Sequence, residues 1–193
     1  MIRPVAFPPP LVALALHPRR ARAFVLCFLL PVLPLAVHAQ TFVPDTSVLA
    51  FRGVPAGAAL SRVATSLRQL GGGGLRCTRS RSDPAVQECR GTYRDSTSGL
   101  RVEIWLSAID SLSGILTFKA GGTLPQLEAW RNDVRDRYGP VKISVQGPQR
   151  MMQWVRRGRM IRITWRPERS QTMMSVSLVD GRVLDDWGRR RKR

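Results

Sequence analysis

Histidine, cysteine, lysine and acidic residues are all scarce in this 193-residue chain, with two histidines, three cysteines and 13 acids against 31 basic residues. Both histidines (His17 and His38) and Cys27 fall within residues 1–39, which read as a leader to be removed. A remainder without histidine cannot run a Ser-His-Asp or Cys-His mechanism. Nor can it build the common histidine-bearing zinc or iron centres. No glycine-rich loop leads from a strand into a helix, as a phosphate cradle would require. The run Gly71–Gly74 follows a helix instead and ends it. Beyond the leader, lysine occurs only at Lys119, Lys142 and Lys192, so the positive charge is carried by guanidinium groups.

The leader has the order of a secretory signal. The basic segment HPRRAR (His17 to Arg22) precedes the apolar run AFVLCFLLPVLPLAVHA, which closes on small residues before Gln40. The run is short and broken by Pro31 and Pro34, whereas a membrane span needs about 20 apolar residues. An uncleaved anchor is the rival reading. Cys27 is preceded by bulky apolar residues rather than small ones, which does not suit lipid attachment. The expected organisation is a signal peptide over 1–39, an extension over 40–50, one domain over 51–187 and a basic tail over 188–193. Removing the leader takes four arginines and no acid, so the formal charge falls from +18 to +14.

Export settles what the remaining cysteines do. Cys77 and Cys89 flank the turn-rich loop TRSRSDPAVQE. A redox site would want C-x-x-C and a structural zinc site four ligands. In an oxidising compartment the pair is expected to form a disulfide.

Between the signals for turns, apolar residues recur with two periods. Leu60, Val63, Ala64, Leu67 and Leu70 have helical spacing, and Gly71 stops them. Val102, Ile104 and Leu106 alternate with Arg101, Glu103 and Trp105, which predicts a strand returning over Ile115 to Lys119. A second helix is predicted after Thr123, with Pro125 in its first turn and Gln126 in a capping-box position. Its stripe is Leu124, Leu127, Trp130 or Arg131, Val134 and Tyr138, and Gly139-Pro140 ends it. Three more strands are expected, with VKISV and MMQWVRR taken together, then RMIRITWRP, then QTMMSVSLVDG. The predicted fold is α+β, with two helices packed on an antiparallel sheet. The order reads as a degenerate duplication of a helix-plus-three-strand unit, over about 51–120 and 121–187.

Phe51, Gly53, Val54 and Gly57 running into the helix Leu60 to Leu70, followed by Cys77 and Cys89, carry a resemblance. This half of the chain, Phe51 to Phe118, resembles the small exported modules of bacterial outer-membrane assembly lipoproteins and of secreted beta-lactamase inhibitor proteins. The resemblance implies a non-catalytic module that binds protein partners. The chain departs from the lipoproteins in lacking a lipid-attachment cysteine and from the inhibitors in its basic charge.

Candidate chemistry is therefore sought in charge and aromatics. Arg150, Arg156, Arg157, Arg159, Arg162 and Arg166 are interleaved with Trp154 and Trp165 in the second half, and a basic tail follows from Arg189. Guanidinium groups grip phosphates and carboxylates bidentately. The eight residues are the expected surface for an anionic envelope partner, lipid head groups or glycans, or for a protein. Nucleic acid fits less well, because the chain is exported and carries no nucleic-acid-binding motif. Among carboxylates, Asp133 with Asp136 reads as a salt-bridged helix face and Asp185-Asp186 as an offset to the tail. In Met151-Met152 and Met173-Met174, one methionine of each pair is expected to fill the core. No cofactor and no metal is expected. The reading is an exported binding module, with a carboxylate-only hydrolase or a purely structural periplasmic domain as alternatives.

Overall fold

The structure, a computed structural model, describes residues 47–192. The expected signal peptide, and the extension as far as residue 46, lie outside the described residues. Among these, no helix is long and apolar enough to cross a membrane.

The chain opens with a two-strand hairpin, β1 (Ala50–Phe51) and β2 (Val54–Pro55). Its turn is Arg52-Gly53, both with positive φ (50° and 76°), the geometry that two-residue hairpins favour. Helix α1 (Leu60–Gln69) follows, and buries Val63 and Leu67. Four antiparallel strands come next, β3 (Arg76–Arg79), β4 (Val86–Arg94), β5 (Arg101–Ile109) and β6 (Leu112–Gly122). Helix α2 (Leu124–Tyr138) is followed by another four, β7 (Ser144–Gln146), β8 (Gln149–Arg156), β9 (Arg159–Glu168) and β10 (Gln171–Asp180). Helix α3 (Gly181–Arg191) ends the described chain.

All eight of β3 to β10 form one antiparallel sheet, in the order β3-β4-β5-β6-β10-β9-β8-β7. The two sets of four are thus joined along β6 and β10. Alternation places Val102, Ile104 and Leu106 of β5, Ile161, Ile163 and Trp165 of β9, and Met174, Val176 and Leu178 of β10 in the core. The sheet's inner residues, the buried residues of α1 and α2 and the β1–β2 hairpin make one apolar cluster. Each buried large aliphatic or aromatic side chain contributes roughly 1.5–3 kcal/mol. An aromatic chain runs through it, with Phe51 edge-on to Phe118 (5.2 Å) and to Trp130 (5.3 Å).

The coarse expectation of helices on an antiparallel sheet holds, and four details change. Each of the first two helices is followed by four strands rather than three, so the helix-plus-three-strand unit is not what the chain forms. In the second half Gly147, with φ of 55°, turns the chain between β7 and β8, where VKISV and MMQWVRR had been taken together. A third helix is present, and it takes in Arg189 to Arg191, expected as a tail. Leu124 stands 64% exposed at the first position of α2, so the buried stripe begins at Leu127. The start of α2 is otherwise as expected, since Gln126 Oε1 accepts from the Thr123 backbone N–H at 2.9 Å.

Cys77 and Cys89 are bonded, with their Cα atoms 4.0 Å apart. They are direct partners in the β3–β4 ladder, so the bond pins an edge strand to its neighbour.

Candidate functional site

The structure does not gather the eight residues singled out from the sequence on one surface. Trp154 and Trp165 are core residues on the helix-covered side, 4% and 6% exposed. Trp154 donates its indole N–H to the Gly139 carbonyl at 2.8 Å, and the Arg131 guanidinium lies 4.9 Å from the Trp165 ring. Arg156 donates to the Tyr138 carbonyl at 3.0 Å, and Arg159 binds the buried Asp180 at 2.9 Å. Arg150 is exposed opposite Trp165, and Arg157 sits at a turn with φ of 47°. Of the eight, only Arg162 and Arg166 point to the opposite face, which among the described residues no element but α3, at one end, covers. There Arg162 donates to Gln153 at 3.0 Å and Arg166 pairs with Glu168.

That uncovered face follows from the register. Reading across β4, β5, β6, β10 and β9, its central row is Arg90, Trp105, Thr117, Ser177 and Arg162. The neighbouring row is Thr92, Glu103, Lys119, Ser175 and Thr164. Hydroxyls hold the middle, with Thr117 and Ser177 3.0 Å apart and Thr164 and Ser175 2.7 Å apart. Two depressions lie on this face, sharing Lys119 as their common wall. One, of about 390 Å³, is lined by Arg90, Glu103, Trp105 and Thr117; the other, of about 180 Å³, by Thr164, Arg166, Met173 and Ser175. Trp105 lies on this side, as its alternation with Ile104 and Leu106 predicts, whereas Trp154 and Trp165 of β8 and β9 lie on the other. The outward methionines Met151 and Met173 lie half-buried on this face, while Met152 and Met174 fill the core. At one end of the face α3 closes over the sheet, its Leu184 lying close to Gly114 of β6.

The buried carboxylates are structural acceptors. Asp95 accepts from Ser98 (2.7 Å), Arg52 (2.9 Å), Trp130 Nε1 (3.1 Å) and the Thr97 N–H (3.3 Å). Burial by itself would raise its pKa, but Ser98, the Arg52 charge and the Trp130 and Thr97 donors outweigh that and hold it below the usual value. Asp180 caps α3, accepting from the Arg182 N–H at 3.1 Å, and binds the guanidinium groups of Arg182 and Arg159. Burial is again outweighed, by the Arg182 and Arg159 hydrogen bonds and charges, and its pKa falls to about 2. Asp133 pairs with Arg137 and Arg52, and Asp186 with Arg189. Among the described residues, no group of three or more acids, cysteines or histidines could hold a metal ion.

Compared with protein-family models, with curated proteins and with solved structures, the chain matches none.

Proposed function

We propose that this is an exported, non-catalytic binding module that presents the uncovered sheet face to an anionic component of the cell envelope. One observation carries the reading: beyond the end that α3 covers, the described residues leave the second face of the eight-stranded sheet open and line it with cations, among them Arg76, Arg90, Arg94, Arg101, Lys119, Arg162 and Arg166. A domain with this surplus of guanidinium groups attracts polyanions over several kT, and lipid head groups or glycans are the polyanions an exported protein meets. Trp105 and the Thr/Ser rows supply flat contact area and hydrogen bonds beside the charges.

The hydrolase alternative finds little support in the carboxylates. A general acid needs a raised pKa, whereas the pKa values of Asp95 and Asp180 are lowered by donors that already fill them. A protein partner is the second reading. It is favoured by exposed Ile143, Val145 and Val155 (46%, 65% and 62%) at the β7–β8 edge and by the resemblance of the first half to protein-binding modules.

The test is binding to anionic vesicles and to an acidic envelope polymer across a salt series. Affinity should fall steeply with salt, and Lys119→Glu with Arg162→Glu should weaken it at least tenfold while leaving the far-UV spectrum unchanged. Binding that ignores both salt and these substitutions would remove the open face from consideration.

A further inference from the structure

We infer that the corner of the open face where β3 ends is a phosphate-binding subsite, built by Arg76, Arg90 and Arg101 with Arg94 beside them; this rests on the anionic-partner reading above. The ladders set two like-charge pairs directly opposite each other, Arg76 with Arg90 and Arg94 with Arg101. Like charges in opposed positions destabilise a sheet. All four side chains are exposed, and among the described residues none is within ion-pair distance of an acid. Glu88 and Glu103 share the face, but the corner keeps an excess of positive charge even when both are counted. The ladders and the disulfide hold the corner together against this repulsion, and an anion bound there would relieve it.

The same corner has a place for a ligand. The β3 ladder stops at Arg76; before it come Leu75, whose side chain lies against Gly91 of β4, and then the glycine run, which carries no side chains. A Cβ at Gly73 or Gly74 would meet nothing within 4 Å. The resulting depression, of about 410 Å³, is lined by Gly73, Gly74, Arg76, Arg90, Thr92 and Arg101. Three guanidinium forks around one open depression, with no acid in its lining, suit a multiply charged group with oxygens on several sides. Phosphate has that shape and charge; a lone carboxylate offers one edge and one charge.

The disulfide holds the arrangement in place. Because Cys77 and Cys89 are bonded register partners, Arg76 and Arg90, one residue away on each strand, are forced opposite one another. The ligand therefore meets a preformed site and loses little affinity to ordering it.

The experiment compares phosphatidylcholine vesicles doped with phosphatidic acid against vesicles brought to the same surface potential with a fatty-acid carboxylate. The protein should bind the phosphate-bearing vesicles about tenfold more tightly, as expected if one or two charge-assisted bonds are specific to phosphate. Arg90→Gln with Arg101→Gln should remove that preference, whereas Arg162→Gln with Arg166→Gln, an equal loss of charge on the same face, should keep it. Inorganic phosphate competing at millimolar concentration would identify the phosphate group alone as the ligand; competition only by the lipid would assign it to the head group in its membrane. The Arg90/Arg101 variant should melt no lower than the parent, since it relieves repulsion. Equal affinity for both vesicle types, or equal loss in both double variants, would overturn the subsite and leave the general reading standing. Failure to bind either vesicle type would overturn the subsite, and failure to bind the acidic envelope polymer as well would overturn the general reading itself.

Discussion

Replacing Asp95 by alanine should be among the most damaging single changes in the domain. The carboxylate is 1% exposed and accepts four hydrogen bonds, from Ser98, Arg52, Trp130 and Thr97. Alanine leaves the Arg52 guanidinium, 12% exposed, with Asp133 at 3.4 Å as its one acidic partner among the described residues. It also leaves the Trp130 indole N–H without an acceptor in the core, where an unmet donor costs roughly 1–3 kcal/mol. Breaking a buried ion pair from one side typically costs about 3–5 kcal/mol, a large share of the roughly 5–15 kcal/mol by which domains are stable. With a urea slope of about 2 kcal/mol/M, the midpoint should drop by roughly 2 M. Asp95→Asn keeps an acceptor for Trp130 or Thr97 and loses only the charge, so it should cost about half as much. Urea melts followed by tryptophan fluorescence would read both. A loss below about 1 kcal/mol for the alanine variant would refute the argument that Asp95 joins the first hairpin to α2.

Acid should destabilise the fold through the same kind of group. Asp180 titrates near 2 in the folded state against 3.8 when free, so the folded protein binds fewer protons there; its contribution, on the order of 2 kcal/mol, is complete above about pH 4 and fades as pH falls toward 2. Asp95 shifts in the same direction, and Asp180→Asn should flatten the stability profile over that range when melting temperature is measured against pH. Peptide mapping without reduction should recover a linked Cys77–Cys89 fragment, and Cys77→Ala with Cys89→Ala should lower stability by about 2–4 kcal/mol, as read by urea titration. Protein exported from a bacterial host should have an intact mass beginning at Gln40; a full-length product held in the membrane would overturn the leader reading.

The period of the apolar residues carried most of the fold. Where a strand has one covered face, alternation is unambiguous, as in Val102-Ile104-Leu106 and Ile161-Ile163-Trp165, and these residues are buried as read. Alternation also divides the eight residues: Arg162 and Arg166 have the opposite parity to Ile163 and Trp165, whereas Arg150, Arg156 and Arg159 fall on the tryptophans' side, so the set could not form one surface. Reading them as one cluster used proximity along the chain where strand geometry puts neighbours on opposite sides. Helix α3 has a weak sequence signal because it buries no residue fully, and its apolar side is only Val183, Leu184 and Trp187. Its one clear sign is Asp180, which caps it. The arginine corner needed the β3–β4 register, and the cysteine pair implies that register once a hairpin with a cross-strand bond is assumed.

The junction between β6 and β10 has a kinetic meaning. Every other ladder of the large sheet joins strands consecutive in the chain, whereas this one pairs Gly122 with Thr172 and Ile115 with Val179. Each set of four strands can therefore zip up through local hairpins, while the junction must close a loop of fifty residues or more. Loop-closure entropy and contact order make such a step slow relative to hairpin formation. Phe118 and Val176, paired across the junction and fully buried, mark where that late step occurs. Because closing the junction is the slow step, trimming either one should slow folding as well as accelerate unfolding. The open face, which spans both sets of strands, would then come into being only at the end of folding.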